Sequence, residues 1–89
     1  MTLPADITQR IKTDFPKKEE FDLVESSLKE LEVNEKNRVI RCILFAASGD
    51  FKAFSELEEL AKRDYRDVIV AGEYEYPSYK HLRDLAKPF

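Results

Sequence analysis

Residues 34–50 read NEKNRVIRCILFAASGD. From Val39 to Ala47 every residue is apolar except Arg41. Val39, Ile40, Ile43, Leu44 and Ala47 recur at helical spacing, and Cys42, Phe45 and Ala46 carry the apolar surface most of the way round. A surface helix shows one apolar stripe, whereas a helix apolar nearly all round is buried among others. The spacing therefore predicts a central helix over residues 35–48 that other helices wrap. Asn34 suits its N-cap, and Glu35 its first turn. Gly49 suits the left-handed position that closes a helix. Asp50 is then placed to cap the next helix at once, so the connection is tight and the two helices should form an antiparallel or steeply angled pair.

The flanking sequence carries the partners. Residues 2–14 form a short candidate helix with Leu3, Ile7 and Ile11 on one face; Pro4 sits early, where a missing N–H is harmless. Phe15 should pack inward at the junction. Residues 16–31 are the clearest amphipathic helix: Phe21, Val24, Leu28 and Leu31 recur on one face with Leu23 alongside, and Pro16 suits the first helical position. In residues 51–63, Phe51, Phe54, Leu57, Leu60 and Ala61 are expected to face in, and Glu56, Glu58, Glu59, Lys62 and Arg63 out.

Residues 64–76 admit two readings. Asp64 and Asp67 resemble an N-cap with an N3 carboxylate, which favours helix. DVIVAGEYEY also reads as a strand, with a β-branched triplet and then the alternation Glu73-Tyr74-Glu75-Tyr76. A lone strand needs a partner, and the caps around the central run argue against a strand there, so helix is preferred. Gly72 is read as a point of close approach. Pro77 breaks the chain, and Ser78 is expected to cap a last helix over residues 79–87 with Leu82, Leu85 and Ala86 inward. The expected architecture is a compact all-α single domain, residues 1–89, of five or six short helices around the central one, with a short strand within 67–76 as the α+β alternative.

Composition bounds the function. The 89 residues suit one domain, and 43% hydrophobic content argues against disorder. A net charge of −3 gives no global attraction for nucleic acid or acidic membranes. The N-terminus lacks the apolar core of a signal peptide, and no apolar run approaches the roughly 20 residues that span a bilayer. The one cysteine, Cys42, forms no internal disulfide. It reads as a small buried hydrophobe and fits a reducing cytoplasm.

The catalytic inventory is short. His81 is the only histidine, and metal-binding patterns, phosphate loops and nucleophile elbows are all missing from the sequence. No metal, cofactor or catalytic residue is expected. Three features stand out. The polar stripe of the central helix carries Arg38 and Arg41; a buried arginine needs an anionic partner or an exit to solvent. Structurally that partner would be Asp50, Asp64, Asp67 or a glutamate of residues 16–31; functionally the pair is a candidate anion site, using arginine's bidentate fork. All four tyrosines lie in the last 25 residues. Tyr74, Tyr76 and Tyr79, with His81, form a candidate interaction surface, because tyrosine is favoured at interfaces. Lys80, His81, Arg83 and Lys87 make a basic edge, but Glu73, Glu75 and Asp84 weaken it as a nucleic-acid platform.

The run AASGDFKAFSELEELAKRDYRDV, residues 46–68, resembles the helix-turn-helix hairpin of α-helical repeats such as tetratricopeptide and ankyrin repeats. The signatures of those families are not matched, so the resemblance carries no functional residue with it. The expected function is a small non-enzymatic cytoplasmic domain mediating protein–protein interaction or self-association, as monomer or homodimer. The alternative is an anion-binding, small-ligand or enzyme-accessory domain using Arg38 and Arg41.

Overall fold

The computed structural model describes residues 2–75 and 78–89. It is mostly helical (67%), with four helices and a short two-stranded sheet. The helices are α1 (Ala5–Asp14), α2 (Lys18–Glu30), α3 (Lys36–Ala47) and α4 (Phe51–Glu73). The strands β1 (Tyr74–Glu75) and β2 (Lys80–His81) pair antiparallel, Tyr74 opposite His81 and Glu75 opposite Lys80. The radius of gyration is 12.1 Å, close to the roughly 12 Å expected of a compact chain this long.

The central helix is where its apolar run requires. Val39, Ile40, Cys42, Ile43 and Leu44 are wholly buried on α3. The opening of α3 differs from expectation: Glu35, not Asn34, is the N-cap, in left-handed backbone (φ 51°) and without a side-chain capping bond. At the other end Ser48 (φ 50°) and Gly49 (φ 81°) are both left-handed, and Asp50 accepts N–H bonds from Lys52 (2.9 Å) and Ala53 (3.3 Å). A Cβ on Gly49 would sit 3.4 Å from the Asp14 carbonyl, so the turn between α3 and α4 packs on the end of α1.

α4 crosses α3 at Gly72. A Cβ there would lie 2.6 Å from Cys42 Cβ and 2.8 Å from Cys42 Cα, so the two backbones meet with no room for a side chain. Asp64 interrupts α4 with extended backbone angles (φ −156°, ψ 97°), and its carboxylate accepts the Arg66 N–H at 3.1 Å. The capping signal at Asp64 thus marks a kink within one helix. Phe15 is buried as expected and meets Phe51 and Phe54 edge-on at ring separations of 6.2 and 5.9 Å.

Several expectations are corrected. There are four helices among the described residues, fewer than the five or six expected. Residues 79–87 are not helical: β2 occupies their start, and turns and irregular backbone follow. Pairing with β1 uses the backbone groups that a helix there would need. Of the segment 64–76, the described residues 64–75 divide between the two readings, helix through Glu73 and strand at Tyr74–Glu75, and Tyr76 lies outside the described residues. Pro16 precedes α2, whose N-cap is Lys17. Leu23, expected beside the apolar face, is 61% exposed. Glu58, expected to face out, is buried, with Ser27 donating a hydrogen bond to its carboxylate. Leu82 and Ala86, expected inward, are exposed.

Candidate functional site

Arg38 and Arg41 stand three residues apart on α3, on one face of the helix. Each guanidinium meets a carboxylate from a distant part of the chain. Arg38 donates from Nε and Nη2 to the two oxygens of Glu73, both at 2.7 Å. Arg41 donates from Nε (2.9 Å) and Nη2 (3.2 Å) to the two oxygens of Asp6. Both pairs have the parallel two-bond geometry that makes arginine–carboxylate contacts strong and directional. The partners differ from the sequence expectation, which named Asp50, Asp64, Asp67 and the α2 glutamates.

Glu73 is the hub. Its side chain is 0% exposed. Besides Arg38 it accepts hydrogen bonds from His81 Nε2 at 2.9 Å and from the Leu85 N–H at 3.1 Å. Cys42 Sγ lies 3.9 Å away. The Arg38 fork foremost, with the His81 contact and the Leu85 amide, outweighs the upward push of burial and holds its pKa at about 2. Asp6 also lies below the usual carboxylate range, through Arg41 first. Arg38 is shifted up by the same Glu73 contact. Burial, then the neighbouring Glu73 charge, pushes the Cys42 thiol up to about 12, the opposite of what a reactive thiolate needs.

These two ion pairs hold the C-terminal segment. Arg41 Nη1 donates to the carbonyls of Leu85 (3.4 Å) and Ala86 (3.2 Å). The Phe89 N–H donates to Asp6 at 3.2 Å. The Leu82 N–H donates to the Glu73 carbonyl at 2.7 Å, and Arg83 to the Gly72 carbonyl at 2.6 Å. The Arg83 guanidinium lies 4.2 Å from the Phe45 ring centre, and Arg10 lies 4.9 Å from that of Phe89. Among the described residues no buried side-chain nitrogen or oxygen lacks a partner.

The candidate interaction residues are partly brought together. The Tyr74 ring is half-buried against His81, centroids 4.9 Å apart. Tyr79 is 58% exposed, in left-handed backbone (φ 55°). Tyr76 lies outside the described residues. The basic edge is divided: Arg83 turns inward, whereas Lys80 and Lys87 are exposed. Sequence reading missed Glu73 and Asp6 as the partners of the arginines. The available signal was a demand for two carboxylates facing Arg38 and Arg41, but 18 acidic residues could meet it.

Among the described residues no group of three or more histidine, cysteine, aspartate or glutamate side chains could hold a metal ion, and no helix is long and apolar enough to cross a membrane. No protein-family model matches the chain, and no curated protein or solved structure matches it.

Proposed function

We propose that this chain is a small non-enzymatic interaction domain of the cytoplasm, binding a protein partner or a second copy of itself through its C-terminal hairpin. The observation that supports this is the placing of Tyr79 (58% exposed) and Leu82 (45%) on a backbone tied to Glu73. The Leu82 N–H bonds the Glu73 carbonyl, and β2 is paired to β1 beside it. Large side chains displayed on a fixed backbone lose little further entropy on binding, and a tyrosine ring brings both apolar area and a polar tip. The non-enzymatic part of the reading rests on the short catalytic inventory of the sequence and on the environment of Cys42. The cytoplasmic part rests on a lone, unpaired thiol.

The test is a pair of substitutions, Tyr79→Ser and Leu82→Ser, read by light scattering over a concentration series and by pull-down against the unsubstituted chain. The expected result is a chain that keeps its helical content, with loss of the partner or of the dimer. A bound partner retained at full strength by both variants would sink the reading. Arg38 and Arg41 as an anion site is the weaker alternative, because an incoming anion must displace Glu73 or Asp6 from a two-bond contact. Arg41→Met addresses it. Loss of an anion-induced rise in melting temperature without destabilisation favours the anion site, and marked destabilisation favours the ion pair.

A further inference from the structure

The break in α4 at Asp64 lies beside the connection between α2 and α3. Residues 32–34 and 61–66 together line a cleft of about 670 Å³, within the roughly 300–1,000 Å³ range of small-molecule pockets. Such pockets are mostly apolar, whereas this one is bordered by charge: Lys62, Arg63 and Arg66 against Glu32 and Asp64. It shares no residue with the C-terminal hairpin or with the two buried arginine pairs of α3.

The chain has six arginines, and five of them are bonded. Arg10, Arg38, Arg41 and Arg66 each hold a carboxylate, and Arg83 holds the Gly72 carbonyl. Arg63 is exposed, and its guanidinium has neither a hydrogen bond nor an ion pair among the described residues. An anion reaching it displaces nothing, whereas at Arg38 or Arg41 it must displace Glu73 or Asp6. The neighbouring cations are also available. Lys62 makes a 3.5 Å contact with the exposed Glu59, worth little in water. Arg66 spends Nε and Nη2 on Asp64, at 3.1 and 3.3 Å, and its Nη1 takes no part in that contact. Asp64 is thereby neutralised, so Glu32 is the one acidic group of the cleft that opposes an anion. Three cations against two carboxylates leave the cleft positive by one, although the chain as a whole carries −3.

We propose that this cleft binds the terminal phosphate of a small phosphomonoester or diphosphate, Arg63 supplying the two-bond fork and Lys62 and Arg66 Nη1 completing the contact. The two oxygens of a carboxylate are used up by one fork. A terminal phosphate has three strong acceptor oxygens, which matches three separate cationic donors. The site is independent of the interaction surface proposed above, and either stands without the other.

Amide resonances of the full chain are followed by NMR through a titration with inorganic pyrophosphate at constant ionic strength. Saturable shifts confined to residues 32–34 and 61–66 are expected; shifts that do not saturate, or that spread over the basic surface, overturn the site. Acetate should give no saturable shift, and acetate matching pyrophosphate overturns the phosphate assignment. Arg63→Gln and Glu32→Gln fall at exposed positions without a side-chain partner among the described residues, so both keep their helical content. Arg63→Gln should weaken pyrophosphate binding roughly 10-fold, and Glu32→Gln should tighten it about 2-fold. The opposite pair of signs overturns the proposal. Lys52→Gln makes the same charge change at an exposed position outside the cleft and should leave binding unchanged; weakening equal to that of Arg63→Gln reduces the effect to overall charge and overturns the site. Sedimentation with vesicles of equal parts phosphatidylcholine and phosphatidic acid identifies the source of the phosphate. Co-sedimentation abolished by Arg63→Gln assigns a lipid headgroup, and pyrophosphate binding without co-sedimentation assigns a soluble ligand.

Discussion

Gly72→Ala is the substitution that most directly tests how α3 and α4 meet. In an open helix interior this change stabilises by about 1 kcal/mol, because alanine loses less backbone freedom on folding. Here the new methyl would stand 2.6 Å from Cys42 Cβ, 2.8 Å from Cys42 Cα and 2.9 Å from Cys42 Sγ. Ordinary carbon–carbon contact is about 3.5–4.0 Å. The thiol could rotate away, but the Cα is backbone in the middle of the most buried helix, so the helices must separate by roughly 1 Å. Overpacking of this kind costs typically about 1–3 kcal/mol, and the displacement also strains Glu73, the next residue. Setting the propensity gain against the upper part of that range leaves a net destabilisation of about 1–2 kcal/mol. For a domain of this size that lowers the melting temperature by roughly 4–16 °C. The assay is thermal and urea unfolding followed by circular dichroism, with Ala71→Gly, at the neighbouring exposed position, as a control for propensity alone. Cys42→Ala should rescue Gly72→Ala only slightly, since Cβ and Cα remain. A Gly72→Ala protein as stable as the parent, or more so, would refute the close crossing.

Glu73 gives a pH prediction. Its carboxyl is held at about 2 in the fold against an ordinary 4.5, so it contributes stability that is present above pH 4.5 and lost as pH falls toward 2. The loss is on the order of 3 kcal/mol, and Asp6 adds to it in the same direction. Acid titration of urea unfolding should show this slope, and Glu73→Gln should flatten it while lowering stability at neutral pH; an unchanged slope argues against the hub. Asp50→Ala removes the acceptor for two amides of α4 and should cost about 1 kcal/mol in urea unfolding. Glu35→Gly, at a left-handed N-cap with no side-chain capping bond, should be neutral or stabilising by up to about 1 kcal/mol despite the loss of its 3.1 Å contact to Arg38. Clear destabilisation would mean that this contact outweighs the strain.

Most of the helical framework was legible in the sequence, because its signals are local. The apolar run of α3, the cap at Asp50, the close approach at Gly72 and the inward Phe15 each follow from residue type and spacing over a few positions. The helix boundaries moved where the competition was local too: Asn34 is a better capping residue than Glu35 in isolation, yet the chain enters α3 through a left-handed Glu35. The strand at Tyr74–Glu75 was foreshadowed by the Glu-Tyr alternation, but its partner Lys80–His81 was hidden inside a segment with helix-like spacing.

The sequence by itself determined that a buried helix over about residues 35–48 would be wrapped by amphipathic neighbours, since burial of apolar surface is written in the period of the apolar residues. It also determined that Arg38 and Arg41 would each need an anionic partner or an exit to solvent. Only the tertiary structure decided which. Glu73 and Asp6 stand 35 residues from their arginines, one on each side in the chain. A charge pair at that separation leaves no periodicity to read, because any of several carboxylates satisfies it equally well until the helices are packed. The path of residues 82–89 was decided the same way: it follows main-chain groups held by Arg41, Glu73 and Asp6, and contacts to the main chain leave little trace in the identity of the side chains.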